Sequence, residues 1–94
     1  MDNYSIRLPN RFDFSYHKTF NQEVEALVAK TGIKEIQLDF SQVNYLDSSA
    51  LGMLVLLSKK NEKGVGAKLI IKGAHGSALE ILEIAKMTKL YAFI

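Results

Sequence analysis

The chain has 94 residues, of which 48% are apolar and 23% charged, with a net charge of +2 and no cysteine. Those values describe one small soluble domain and exclude both a disulfide framework and thiolate metal sites. No apolar run approaches the ~20 residues that span a bilayer, and the N-terminus lacks the basic start and apolar core of a signal peptide, so a cytoplasmic location without membrane insertion is expected.

Ile6 and Leu8 alternate with Ser5 and Arg7, and Phe12 and Phe14 with Arg11 and Asp13. That period of two predicts two short strands joined as a hairpin around Pro9-Asn10. Phe20, Val24, Leu27 and Val28 recur at helical spacing and predict an amphipathic helix over residues 17–30, stopped by Gly32. Ile36, Leu38 and Phe40 alternate with Glu35, Gln37 and Asp39, the pattern of a strand buried on one face. A loop over residues 41–46 leads to a second helix over 48–62, ended by Gly64. Lys59, Lys60, Lys63 and Lys68 form the one local basic excess, and lysines at a helix end complement its dipole. They do not form the concentrated basic face of a nucleic-acid binder, and no direct nucleic-acid contact is expected.

Leu69, Ile70 and Ile71 predict a strand, and residues 77–86 a third helix. Ser77 and Glu80 are spaced as a capping box, with Ala78, Ile81, Leu82 and Ala85 as the buried stripe. The tail over residues 90–94 reads as a last edge strand or an irregular apolar lid. Strands alternating with helices predict right-handed crossovers and a largely parallel core. The half-polar strands fit helices on one face only. The expected fold is therefore a small α/β domain with a mixed sheet of four to five strands and helices mainly on one face.

Enzyme chemistry finds little support in the motifs. A nucleophile elbow needs glycine two residues before and after its serine. Around Ser48 those positions hold Leu46 and Ala50, and around Ser49 they hold Asp47 and Leu51. His17 and His75 are isolated and supply no metal-ligand set. The Gly-x-Gly of "GVGAK" (residues 64–68) lies after a helix and before a strand, the reverse of a phosphate-cradling loop. No cofactor, metal or catalytic residue is expected.

The segment "LDSSALGML" (residues 46–54) is more informative. Asp47 or Ser48 suffices to cap the helix, yet three polar residues stand in a row. A phosphoryl group there would carry nearly two negative charges, favoured by the helix N-terminus and opposed by Asp47. On a helical wheel Leu51, Leu54, Val55 and Ser58 form the expected inward stripe, while Ser49, Met53, Leu56 and Lys60 fall roughly opposite. Met53 and Leu56 are thus candidate partner contacts, with burial under other helices the equal alternative.

These residues resemble the STAS domain, the family named for sulfate transporters and anti-sigma factor antagonists. The resemblance is carried by "EIQLDFSQVNYLDSSALGMLVLL", a strand, a loop and then Asp-Ser-Ser-small-Leu-Gly. It continues through Gly66, "AKLIIKG" and "ALEILEIAKMTKLYAFI", and so covers most of the chain from Phe12 onward. In stand-alone bacterial members, the serine after that aspartate is phosphorylated by a partner kinase that is often an anti-sigma factor, and a PP2C-type phosphatase reverses it. The unphosphorylated form sequesters the anti-sigma factor. The resemblance thus implies Ser48 as phosphoacceptor and Asp47 as its neighbour in the recognition surface. Ser49 would be a helix-start residue and Gly52 a point of close backbone approach.

Two departures stand out. Ala50 occupies a position where many members have glycine, and residues 1–94 form a single domain without the final helix that members commonly add. Surface left uncovered by that helix makes a homo-oligomer an expected possibility. The alternative function is a constitutive STAS subunit of a lipid ABC transporter, docked on its ATPase through the second helix. A small-ligand or nucleotide sensor is disfavoured by the lack of a phosphate-binding loop.

Overall fold

A computed structural model of the chain describes residues 3–94. The period-two and period-four apolar patterns become six strands and three α-helices. The strands are β1 (Asn3–Arg7), β2 (Arg11–Phe12), β3 (Glu35–Asp39), β4 (Tyr45–Leu46), β5 (Lys68–Lys72) and β6 (Ala92–Phe93). The helices are α1 (His17–Val28), α2 (Ser48–Lys63) and α3 (Gly76–Ile84). Short 3₁₀ turns at Phe14–Tyr16 and Met87–Lys89 precede α1 and β6. The main sheet has the order β1-β3-β5-β6, and β2 pairs separately with β4. All these pairings are parallel.

The expected α/β domain is observed, with one face of the sheet carrying the core. Ile6, Ile36, Leu38, Leu69 and Ile71 point inward and meet Phe20, Val24 and Leu27 of α1, Leu54 and Leu57 of α2, and Leu82 of α3. The opposite face carries Ser5, Gln37 and Ile70 in register, with Arg7, Asp39 and Lys72 at one end. One-sided burial explains why β1 and β3 read as half polar although their pairing is parallel.

The N-terminal hairpin is not formed. β1 pairs with β3, while Arg11 and Phe12 leave the main sheet to pair with Tyr45 and Leu46. A two-residue hairpin turn of the favoured kind needs positive φ at both central residues, and Pro9 fixes its own φ near −65°. Phe12 instead joins an aromatic cluster, its ring centroid 5.6 Å from Phe20 and 6.0 Å from Phe40. Phe14, expected on the second strand, lies in the 3₁₀ turn, is 65% exposed and stacks on His17.

The predicted capping box on α3 is also corrected. The helix starts one residue earlier, with His75 as N-cap and no side-chain cap bond. Ser77 therefore sits inside the first turn, past the position from which a cap could act. Lys86 leaves the helix with φ 64°, which ends α3 before the predicted boundary. The tail resolves into the edge strand, and the buried Tyr91 hydroxyl donates to the Leu54 carbonyl at 2.7 Å. Burial pushes the Tyr91 phenol pKa well up.

Candidate functional site: the N-terminal end of helix α2

The start of α2 is fixed by Asp47. Its backbone is extended (φ −120°, ψ −175°), and its Oδ1 accepts the Ala50 N–H at 3.0 Å. Its carbonyl also accepts the Leu51 N–H at 3.2 Å. One carboxylate thus satisfies the cap, and neither serine is needed for it. Ser48, the first helical residue, is exposed, and its hydroxyl is bonded to no other described residue. Ser49 is half-buried beside it. The two serines are therefore separated by burial: the first points its hydroxyl into solvent from the positive end of a 16-residue helix.

Below Ser48 the helix presents a row at intervals of four. Gly52 is exposed, and a Cβ built there would meet nothing within 4 Å. Leu56, one turn further, is 41% exposed. Ser48, Gly52 and Leu56 thus make a strip that is flat in the middle and apolar at its far end. Met53 does not belong to it. At 4% exposure it packs in the core with Ala50, Leu54 and Leu57, so its wheel placement opposite the inward stripe is corrected. Leu51, Val55 and Ser58 are only half-buried. The buried stripe sits at positions 50, 53, 54, 57 and 61 because α1 packs beside the helix and widens the face that is covered.

Tyr45, on β4 just before the Asp47 cap, carries no signal in the sequence that marks it. It is 44% exposed, with the Arg11 guanidinium 4.4 Å from its ring centroid. Arg11 Nε also donates to Asp13 Oδ2 at 2.7 Å. The Ser15 hydroxyl, with smaller help from its N–H and from Arg11, holds the Asp13 carboxyl below the usual range. Only the β2–β4 pairing brings Arg11 to Tyr45, and no local pattern encodes that pairing. On the approach to the site, Asp39 Oδ1 accepts the Ser41 N–H at 2.9 Å, and the Ser41 side chain and N–H hold the Asp39 carboxyl below its ordinary value. His75 Nε2 lies 3.1 Å from the Ser41 carbonyl, tying the loop before α3 to the loop before β4.

Two clefts lie elsewhere, on either side of β1, and neither reaches Ser48. Among the described residues no group of three metal-ligating side chains occurs, and no helix is long and apolar enough to cross a membrane. What the site offers is a contact surface: a capped helix end, a free hydroxyl, a bare backbone and one exposed leucine.

The fold is that of a small α/β domain whose parallel sheet is covered by helices on one face. A family model of the STAS domain matches residues 2–93, and the chain belongs to that family. It is 34% identical over 87 residues to a STAS-domain containing protein of Pseudomonas aeruginosa (strain UCBPP-PA14), covering 93% of this chain and 83% of that one. A sulfate transporter family protein from Wolinella succinogenes shares the fold with a TM-score of 0.81 and 15% identity, covering 95% of this chain and 70% of that one. A putative anti-sigma factor antagonist from Thermotoga maritima gives 0.79 and 18%, with coverage of 95% and 77%. The phosphorylated form of the Bacillus cell fate determinant SpoIIAA gives 0.74 and 14%, with coverage of 100% and 85%.

Proposed function

We propose that this domain is a phosphorylation-controlled interaction switch of the anti-sigma factor antagonist type. In its unphosphorylated form it binds an anti-sigma factor with serine kinase activity, and phosphorylation of Ser48 releases that partner. A PP2C-type phosphatase resets it, and the exchange takes place in the cytoplasm. The domain is a binding protein and not an enzyme. The observation that carries this reading is the exposed, unbonded hydroxyl of Ser48 beside an aspartate that already does the capping. The names of the Thermotoga and Bacillus neighbours support it.

Asp47, Ser49, Gly52 and Leu56 form the recognition surface around Ser48. Met53 serves that surface from beneath, by holding the helix in place. A docked partner would desolvate the helix start. A dianion buried there without pairing costs several kcal/mol, and ~4 kcal/mol already weakens binding about a thousandfold. The helix itself tolerates the charge, so the switch acts on the complex and leaves the fold intact.

The test is the intact mass of the protein from its native host before and after phosphatase treatment, together with partner binding by Ser48→Ala and Ser48→Asp. The expected results are a phosphatase-sensitive mass increment that Ser48→Ala lacks, and loss of binding in Ser48→Asp alone. No phosphorylated fraction under any growth condition, with Ser48→Asp binding as the parent does, sinks the proposal. That pair of results favours the second reading, a constitutive subunit that docks on a transporter ATPase. The same Gly52–Leu56 strip would serve such docking without any modification.

A further inference from the structure

β1 is the edge of the main sheet, and its outer side is complementary to itself. The Leu8 N–H donates to the Asp39 carbonyl on β3 at 3.1 Å. Backbone groups alternate sides along a strand, so those of Asn3, Ser5 and Arg7 point away from β3. None of them bonds to another described residue. Beside this free row lies a cleft of about 240 Å³, lined by Tyr4, Ser5 and Ile6 of the strand, Glu23, Ala26 and Leu27 of α1, and Lys30 just past the helix end. Edge strands of this kind are ordinarily blunted by proline, by inward charges or by a covering element. Here Pro9 lies past the strand, and the only charge on it is Arg7 at its end.

We propose that the occupant of this edge is a second copy of the chain, paired antiparallel through β1 about a twofold axis at Ser5. That register sets Ser5 opposite Ser5 of the partner copy and Asn3 opposite Arg7, in both directions. It makes each outward-pointing pair a hydrogen-bonded one. No like charges meet. On the core side the half-buried Tyr4 falls opposite Ile6 of the other copy, an aromatic and β-branched pairing that stabilises antiparallel strands. The cleft obeys the same symmetry. Lys30 sits by Tyr4, its Nζ 5.5 Å from the ring centroid, and so marks one end of the strand. Glu23, seven residues earlier on α1, marks the other: its Oε1 accepts the Tyr16 hydroxyl at 2.8 Å, which leaves Oε2 for a base across the seam, and the small exposed Ala26 lies between them. A twofold at Ser5 therefore carries the base of one copy toward the acid of the other, twice. A shared surface that is self-complementary in hydrogen bonds, side-chain shape and charge is what a closed dimer requires.

This dimer is independent of the Ser48 reading, because β1 and α2 lie at different parts of the fold and its test uses no partner or kinase. Sedimentation velocity of the full chain, over a dilution series from on the order of 1 to 100 µM, is expected to show a reversible monomer–dimer equilibrium. Ser5→Pro removes one outward N–H at an edge position, where proline is tolerated, and is expected to weaken the dimer about tenfold or more. Glu23→Lys places like charges across the seam twice but also removes the acceptor of the Tyr16 hydroxyl, whereas Lys30→Glu places like charges there and leaves that bond intact; each should weaken the dimer about tenfold. The double exchange Glu23→Lys/Lys30→Glu should restore it to within about threefold of the parent. If Ser5→Pro fails to fold by circular dichroism, the exchange series at residues 23 and 30 decides alone. A chain that stays monomeric throughout overturns the proposal. So does a dimer indifferent to these changes, or a double exchange without rescue.

Discussion

The two ends of α2 are built from similar residue types and used in opposite ways. At the C-terminal end, Asn61 is the one buried polar residue among those described, and both faces of its amide are paired. Its Nδ2 donates to the Ala67 carbonyl and its Oδ1 accepts the Ala67 N–H, each at 2.8 Å. Gly66, at φ +64°, lets the chain turn so that its own N–H reaches the Asn61 carbonyl at 2.8 Å. That end is closed on itself. The N-terminal end has one cap bond from Asp47, then an exposed serine hydroxyl and an exposed glycine with empty space around it. Polar groups that the chain satisfies internally serve the fold; polar groups that it leaves to solvent are available to a partner. The contrast is the reason the proposed function is placed at one end of the helix, while the other end serves the fold.

The largest effect should come from breaking the closed end. Asn61→Leu fits the volume but leaves the Ala67 N–H and carbonyl buried without partners, at about 1–3 kcal/mol each. Urea unfolding is expected to show a loss of about 2–4 kcal/mol in total, with partner binding unchanged in whatever fraction remains folded. Next comes Asp47→Ala, which removes the only side-chain cap of the open end. A loss of about 1 kcal/mol is expected by the same measurement. Nearly equal losses at the two ends would contradict the contrast between them.

Gly52 reverses the sign. An interior helical glycine is less favourable than alanine by about 0.5–1 kcal/mol, and a Cβ at this position meets no neighbour within 4 Å. Gly52→Ala should therefore stabilise the fold by about that amount in urea while weakening the partner complex. A stabilised variant with undiminished binding would remove Gly52 from the recognition surface. Acid separates the ends in another way. Asp39 anchors the loop that leads to α2, and its carboxyl is held below the usual carboxylate range first by the Ser41 side chain and then by the Ser41 N–H. The depressed value means that its contribution is present above the unfolded value near ~4 and is lost as pH falls through the folded one. Amide protection over residues 41–46, measured against the intrinsic exchange rate at each pH, should fall on acidification before protection at Ala67 does, because the Asn61 amide does not titrate.

Much of this was legible in the sequence, where local chemistry and burial agree. The strand over Glu35–Asp39, the helix start at Ser48 and the stop at Gly64 follow from alternation, from Asp47 and from glycine. Of the proposed site residues, residue type marks Asp47 as a cap, whereas Ser48 and Gly52 are singled out only by the resemblance to the STAS family. What could not be read was decided by distant partners. Phe12 and Arg11 look like the second arm of a hairpin, but their neighbours are Leu46 and Tyr45, more than thirty residues away. Met53 and Leu56 look equivalent on a wheel, yet only Leu56 lies outside the surface that the other helices cover. Asn61 reads as an ordinary exposed helix residue because its partner, Ala67, offers only backbone.

The smallest expected change is the most discriminating. Ser48→Asp adds a negative charge at the first helical position, where the macrodipole contributes about 0.3–1 kcal/mol in its favour at a surface site. Asp47 stands next to it and opposes the charge, and the lost hydroxyl held no partner to be missed. The two electrostatic effects nearly cancel, so the midpoint of urea unfolding should move by no more than about 0.5 kcal/mol in equivalent stability. Partner affinity, by contrast, should fall by orders of magnitude, since the complex must bury that charge. A substitution silent in the fold and decisive in the complex is the signature of a switch that works by desolvation. If the same variant unfolds the domain by several kcal/mol, then Ser48 belongs with Asn61 among the structural residues, and the contrast between the two helix ends is lost.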